Sequence, residues 1–98
     1  MVSVPGGIGE LKPADDTVND ICAKIRAEVE NKAGKQFVEF TAINYASQLV
    51  NGVNYFIKVK VADAEHIHIR VHKAFSGELS FHSHQANKSA DDSIEYFP

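Results

Sequence analysis

Apolar and polar positions divide the chain at Gly34. Before it, Val18, Ile21, Cys22, Ile25 and Val29 recur at offsets of 3, 4, 7 and 11 from the first, which draws one stripe along a helix. Lys24, Arg26, Glu28 and Glu30 fall mainly on the other side. Asp15, Asp16 and Thr17 are capping residues, and an acidic pair suits the positive end of a helix dipole. Gly34 suits a left-handed stop. The pattern predicts a helix over about 15–33.

After Gly34 the chain reads as strand. Phe37 to Leu49 is rich in aromatic and β-branched residues, with an imperfect alternation that a bulge would explain. Asn51-Gly52 is the strongest hairpin signal and predicts a type I′ turn. In Val53 to Val61, Tyr55, Ile57, Val59 and Val61 alternate with Phe56, Lys58 and Lys60. Ala62 to Glu65 is a connection. Ile67, Ile69 and Val71 then face one way and His66, His68, Arg70 and His72 the other. Phe75-Ser76-Gly77 reads as a three-residue turn with Gly77 in the left-handed region. Leu79 and Phe81 resume the apolar face, and a polar tail begins at Asn87. One helix followed by hairpin-linked strands predicts an α+β fold, with the helix covering the apolar face of an antiparallel sheet of four to five strands. Residues 1–13, broken by Pro5, Gly6, Gly7, Gly9 and Pro13, read as an extended, flexible arm.

Ninety-eight residues suffice for one domain, 1–98. A formal net charge of -3 argues against nucleic acid or an anionic membrane surface as partner, and no apolar run approaches the ~20 residues of a membrane span. The start, Met1 to Pro13, lacks the basic and apolar regions of a signal peptide and reads as a mature N-terminus. With Cys22 the one cysteine, no intramolecular disulfide is available, which suits a reducing compartment and a cytoplasmic location.

Little here suggests catalysis. No Ser-His-Asp set, paired carboxylate site or metal-ligand motif is visible. Cys22 lies in the helix stripe, so it reads as a buried, inert thiol. Gly6-Gly7-Ile8-Gly9 lacks the Gly-Lys-Ser/Thr of a phosphate loop. The second hairpin sets a register in which Val71 opposes Phe81, Arg70 opposes His82, and His68 opposes His84. Directly opposed imidazoles, with Cβ atoms ~4.5–5.5 Å apart, could share a metal ion, but no third ligand completes the set. The preferred reading is a solvated polar face with no metal and no cofactor.

Several segments together resemble the stefin type of cystatin. Gln48-Leu49-Val50-Asn51-Gly52 has the Gln-x-Val-x-Gly pattern of the first hairpin loop, and Asn54 to Val59 follows it as in stefins. Val4-Pro5-Gly6-Gly7, Lys12-Pro13-Ala14, His68-Ile69-Arg70-Val71 and the ending Glu95-Tyr96-Phe97 are similar to stefin segments. Two positions depart: stefins usually have a longer second loop with Leu-Pro where this chain has Phe75-Ser76-Gly77, and often Ala where it has Asn51.

The resemblance implies a reversible, competitive, tight-binding inhibitor of papain-like cysteine proteases such as cathepsins, which is not an enzyme. It implies a three-part wedge in the protease cleft: the arm through Val4, Pro5, Gly6 and Gly7; the first tip through Gln48, Leu49, Val50, Asn51 and Gly52; and the second through Phe75, Ser76 and Gly77. Leu49 and Val50 put apolar surface on a tip where a monomer has no use for it. Phe75 is a large group of the kind that anchors interfaces, unless it folds back on its own sheet. The alternative is a cystatin-fold binding module without protease inhibition. A monomer is expected, with dimers by domain swapping as the other state.

Overall fold

A computed structural model describes residues 8–98. The arm residues Val4, Pro5, Gly6 and Gly7 lie outside the described residues. Along the chain come β1 (Lys12–Pro13), α1 (Asp16–Ala33), β2 (Thr41–Val50), β3 (Gly52–Ala62), β4 (Glu65–Lys73) and β5 (Leu79–Lys88). The strands form one antiparallel sheet in the order β1-β2-β3-β4-β5. This is the α+β arrangement expected, with five strands.

The helix follows its residues closely. Asp15 caps it, its Oδ1 accepting from the Val18 amide at 3.1 Å, and Gly34 closes it at φ 74° in the left-handed region. Oδ2 of Asp15 accepts from the Tyr45 hydroxyl at 2.7 Å, which ties the helix start to β2. The hydroxyl and the helix amides hold the Asp15 carboxyl below its usual range, and the same bond pushes Tyr45 up to about 12. Val18, Ile21, Cys22, Ile25 and Val29 are all buried against Ile57, Val59, Val61, Ile67, Ile69 and Val71. Burial pushes the Cys22 thiol up to about 12, so it is un-ionised and inert at neutral pH.

Four details depart from the pattern reading. First, β2 begins at Thr41 instead of near Phe37. The Phe37 amide donates to Glu30 Oε2 at 2.9 Å and its carbonyl accepts from Arg26 Nη2 at 2.6 Å, so helix side chains take the bonds that a strand partner would use. The expected irregularity in β2 is a register shift between Ala42 and Asn44.

Second, the Asn51-Gly52 turn is not type I′. That turn needs positive φ at both residues, and only Gly52 has it, at 100°. Leu49 pairs with Val53 and Val50 with Gly52, so the reversal centres on Asn51.

Third, Val71 opposes Phe81 as expected, but a register shift between Arg70 and Val71 moves the following pairs. Arg70 faces Ser83, His68 faces Gln85, and His84 faces Ile69. The expected Arg70–His82 and His68–His84 pairs do not form, and the two imidazoles have no shared site. Among the described residues no cluster of three or more His, Cys, Asp or Glu side chains could hold a metal ion.

Fourth, the face bearing His66 and His68 is not solvated. Both are buried, His68 completely, because the segment after β5 folds back across it. Phe97 packs edge-on against Phe56 with ring centroids 5.5 Å apart. Lys58 Nζ donates to the carbonyls of Ala90 and Asp92, and Arg70 Nη1 donates to the Phe97 carbonyl at 2.9 Å.

Candidate functional site

Antiparallel pairing brings both hairpin tips to one end of the sheet. β3 and β4 are neighbours, and Val53 beside the first tip pairs with Lys73 beside the second. On the other side of the first tip lies the described part of the arm. Pro13 and Lys12 pair with Asn44 and Tyr45, and the Gly9 amide donates to the Ser47 carbonyl at 2.8 Å. Traced backwards, the arm therefore climbs β2 toward the same end. The described part of the arm (from Ile8), the first tip and the second tip stand in that order along one edge.

The tips expose what they carry. Leu49 is 80% exposed, Val50 42% and Phe75 76%. Phe75 therefore does not fold back on its sheet. Its turn is the expected one: the Ala74 amide donates to the Glu78 carbonyl and the Gly77 amide to Ala74, both at 2.8 Å. Gly77 takes φ 99°, and Phe75, Ser76 and Gly77 are all exposed. A short loop closed this way has little freedom to lose on docking.

Gln48 is half-buried beneath the first tip, and its Oε1 accepts from Asn54 Nδ2 at 2.9 Å. Gly52 is closely packed within the protein. A Cβ there would lie 2.6 Å from the Lys73 carbonyl oxygen and 2.7 Å from His72 Nε2, so the first tip packs directly on β4. His72 Nε2 also donates to the Asn51 carbonyl at 2.7 Å. Reasoning from the pattern missed Asn54 and His72. Their only signal was a place on the polar side of their strands, and the pairing that brings them under the tip depends on a turn geometry that Asn-Gly does not announce.

An exposed apolar edge of this kind, built from closed turns, is suited to filling a cleft. Comparison with known proteins identifies the family. The cystatin domain family matches residues 6–91. Cystatin-A2 of Dictyostelium discoideum is 41% identical over 92 residues, covering 94% of this chain and 96% of its own length. Cystatin-A of Bos taurus is 38% identical over 96% of this chain and 99% of its own. Cystatin-B of Oplegnathus fasciatus is 40% identical over 99% of this chain and all of its own length. The chain belongs to the cystatin family and is of the stefin type. It is a cysteine protease inhibitor and not an enzyme.

Proposed function

We propose that the chain inhibits papain-like cysteine proteases reversibly and competitively by filling the active-site cleft with three segments. These are the arm through Val4, Pro5, Gly6 and Gly7, the first tip through Gln48, Leu49, Val50, Asn51 and Gly52, and the second through Phe75, Ser76 and Gly77. The observation that carries this reading is the exposure of Leu49 and Phe75 on neighbouring tips of one edge. Apolar side chains held out on closed turns stabilise nothing in the free protein. They gain by leaving water in a complex. Inhibition then needs only occupancy of the cleft without a scissile bond at the nucleophile. Action as a monomer in the cytoplasm fits the single buried thiol, which cannot crosslink the fold.

The test is titration of papain with the chain against a small fluorogenic substrate. Competitive inhibition that is fully recovered on dilution is the expected result, and no inhibition by micromolar chain would sink the reading. Val50→Asp places a charge where an apolar group docks and should weaken binding by about 2 kcal/mol or more, roughly thirtyfold. Phe75→Ala should cost less, because the second loop is short and offers one anchor.

A further inference from the structure

The first hairpin tip is held from outside its own two strands. The β2–β3 ladder ends with Val50 opposite Gly52, leaving Asn51 beyond it. The Asn51 carbonyl receives a hydrogen bond from His72 Nε2, on β4, at 2.7 Å. A carbonyl oxygen only accepts, so Nε2 carries a proton; either the neutral ring protonated at Nε2 or the imidazolium meets that need. A second observation is steric. Gly52 lies so close to the His72 ring that a Cβ would sit 2.7 Å from Nε2 and 3.0 Å from Cε1. The tip thus packs on β4 against the Lys73 carbonyl oxygen, 2.6 Å from such a Cβ, and against the His72 ring, the one side chain among these contacts. A third is register. His72 pairs with Asn54, which pairs with Gln48. Asn54 is buried and donates to Gln48 Oε1. A polar row therefore crosses β2, β3 and β4 directly beneath the tip, with His72 at its end.

We infer that His72 is a positioning residue for inhibition: it latches the Asn51 carbonyl to β4 and so presets the first tip in its docking conformation. The inference rests on the reading that this tip enters the protease cleft. A tip that populates its docking shape only part of the time binds more weakly in proportion to the competent fraction. Loss of a positioning residue therefore lowers the association rate, whereas loss of a direct protease contact mainly raises the dissociation rate.

The experiment uses the full chain and its His72→Ala, His72→Phe and His72→Gln variants. Association and dissociation rates with papain are measured by stopped flow, and amide relaxation of Asn51 and Gly52 by NMR on the free proteins. The Ala and Phe variants should associate about fivefold more slowly, with more mobile tip amides, while Gln, whose side-chain amide can donate to the same carbonyl, stays within about twofold of the parent. The inference is overturned if all variants match the parent, if Gln is as impaired as Ala, or if the loss lies in dissociation while tip mobility is unchanged. A parent chain inert toward papain overturns the reading of the site and this role with it. An inhibitory parent with indifferent His72 variants overturns this role alone.

Discussion

The two faces of the sheet are both covered, but by opposite means. On the helix side, Ile57, Val59, Ile69 and Val71 meet Val18, Ile21, Ile25 and Val29, and burial is apolar throughout. On the other side, the same strands present Phe56, Lys58, His66, His68 and Arg70, and the covering segment meets them with backbone carbonyls and two aromatic rings. The Arg70 guanidinium lies 5.5 Å from the Phe56 ring centre and 5.3 Å from that of Tyr96. Strand alternation thus guarantees two faces, and says nothing about whether the polar one is wet. The difference predicts that the helix side supplies most of the stability. The tail side supplies its sensitivity to mildly acidic pH, through His68, and its local mobility.

The largest effect expected is on the helix side. Ile21 is essentially fully buried among α1 and the sheet, and Ile21→Ala should destabilise the protein by about 2–5 kcal/mol, the cost of lost burial plus a residual cavity. Urea unfolding followed by circular dichroism measures it. A cost well below that range would mean that the helix face is not the dominant core.

The second effect is carried by His68. It is completely buried, and neither ring nitrogen has a hydrogen-bond partner among the described residues. Lys58 on β3, Lys88 on β5, Asp92 in the tail and His66 on its own strand are the charged or titratable groups around it. Burial, assisted by the two lysines, lowers its pKa to about 4. The unfolded chain binds this proton near pH 6.5 and the folded chain does not. Stability is therefore full above about 6.5, falls as pH drops, and levels off below about 4. The loss attributable to His68 is on the order of 3 kcal/mol across that window. Asp15, Glu30 and Asp92, whose carboxyls are held low by hydrogen bonds, lose stability in the same direction at still lower pH. His68→Leu removes two unpartnered nitrogens, so it should cost little at pH 7 and flatten the curve between 6.5 and 4. An unchanged pH profile would show that the acid sensitivity lies elsewhere.

The contrast also marks how far the chain could be read in advance. Helix, strands and apolar core were legible because each depends on neighbours in sequence: the stripe from Val18 to Val29, the stop at Gly34, the alternation from Tyr55 to Val61 and from Ile67 to Val71. The segment Gln48–Gly52 and the turn at Phe75–Gly77 were legible for the same reason. What was misread depends on distant contacts. Nothing local says that Asn51 is held by His72, or that the chain slips by one position beside Arg70. Nor does anything local say that Phe97 returns to cover Phe56. The aromatic residues near the end stood in a polar stretch without a periodic partner, and that mismatch was the available hint that the stretch was not simply solvated.

The smallest effect expected concerns how the tail is fastened. Lys58 is buried at the centre of that face, and its ammonium donates to the Ala90 carbonyl at 2.5 Å and the Asp92 carbonyl at 2.7 Å. A buried ammonium without such partners would be costly, so the two carbonyls and the lysine require one another. Lys58→Met leaves an unbranched side chain one atom shorter and removes its donors. The two carbonyls then lie against an apolar group, and the cheapest response is for the tail to lift and rehydrate them. Local opening therefore caps the penalty at the free energy of docking the tail, about 1.5–3 kcal/mol if the bonds to this charged group dominate it. Amide exchange should quicken across residues 89–97 while the protection of α1 and β3 is nearly unchanged. Uniformly faster exchange, reaching the helix, would break the comparison, because the two covers would then open as one cooperative unit and the tail would be as much a part of the core as α1.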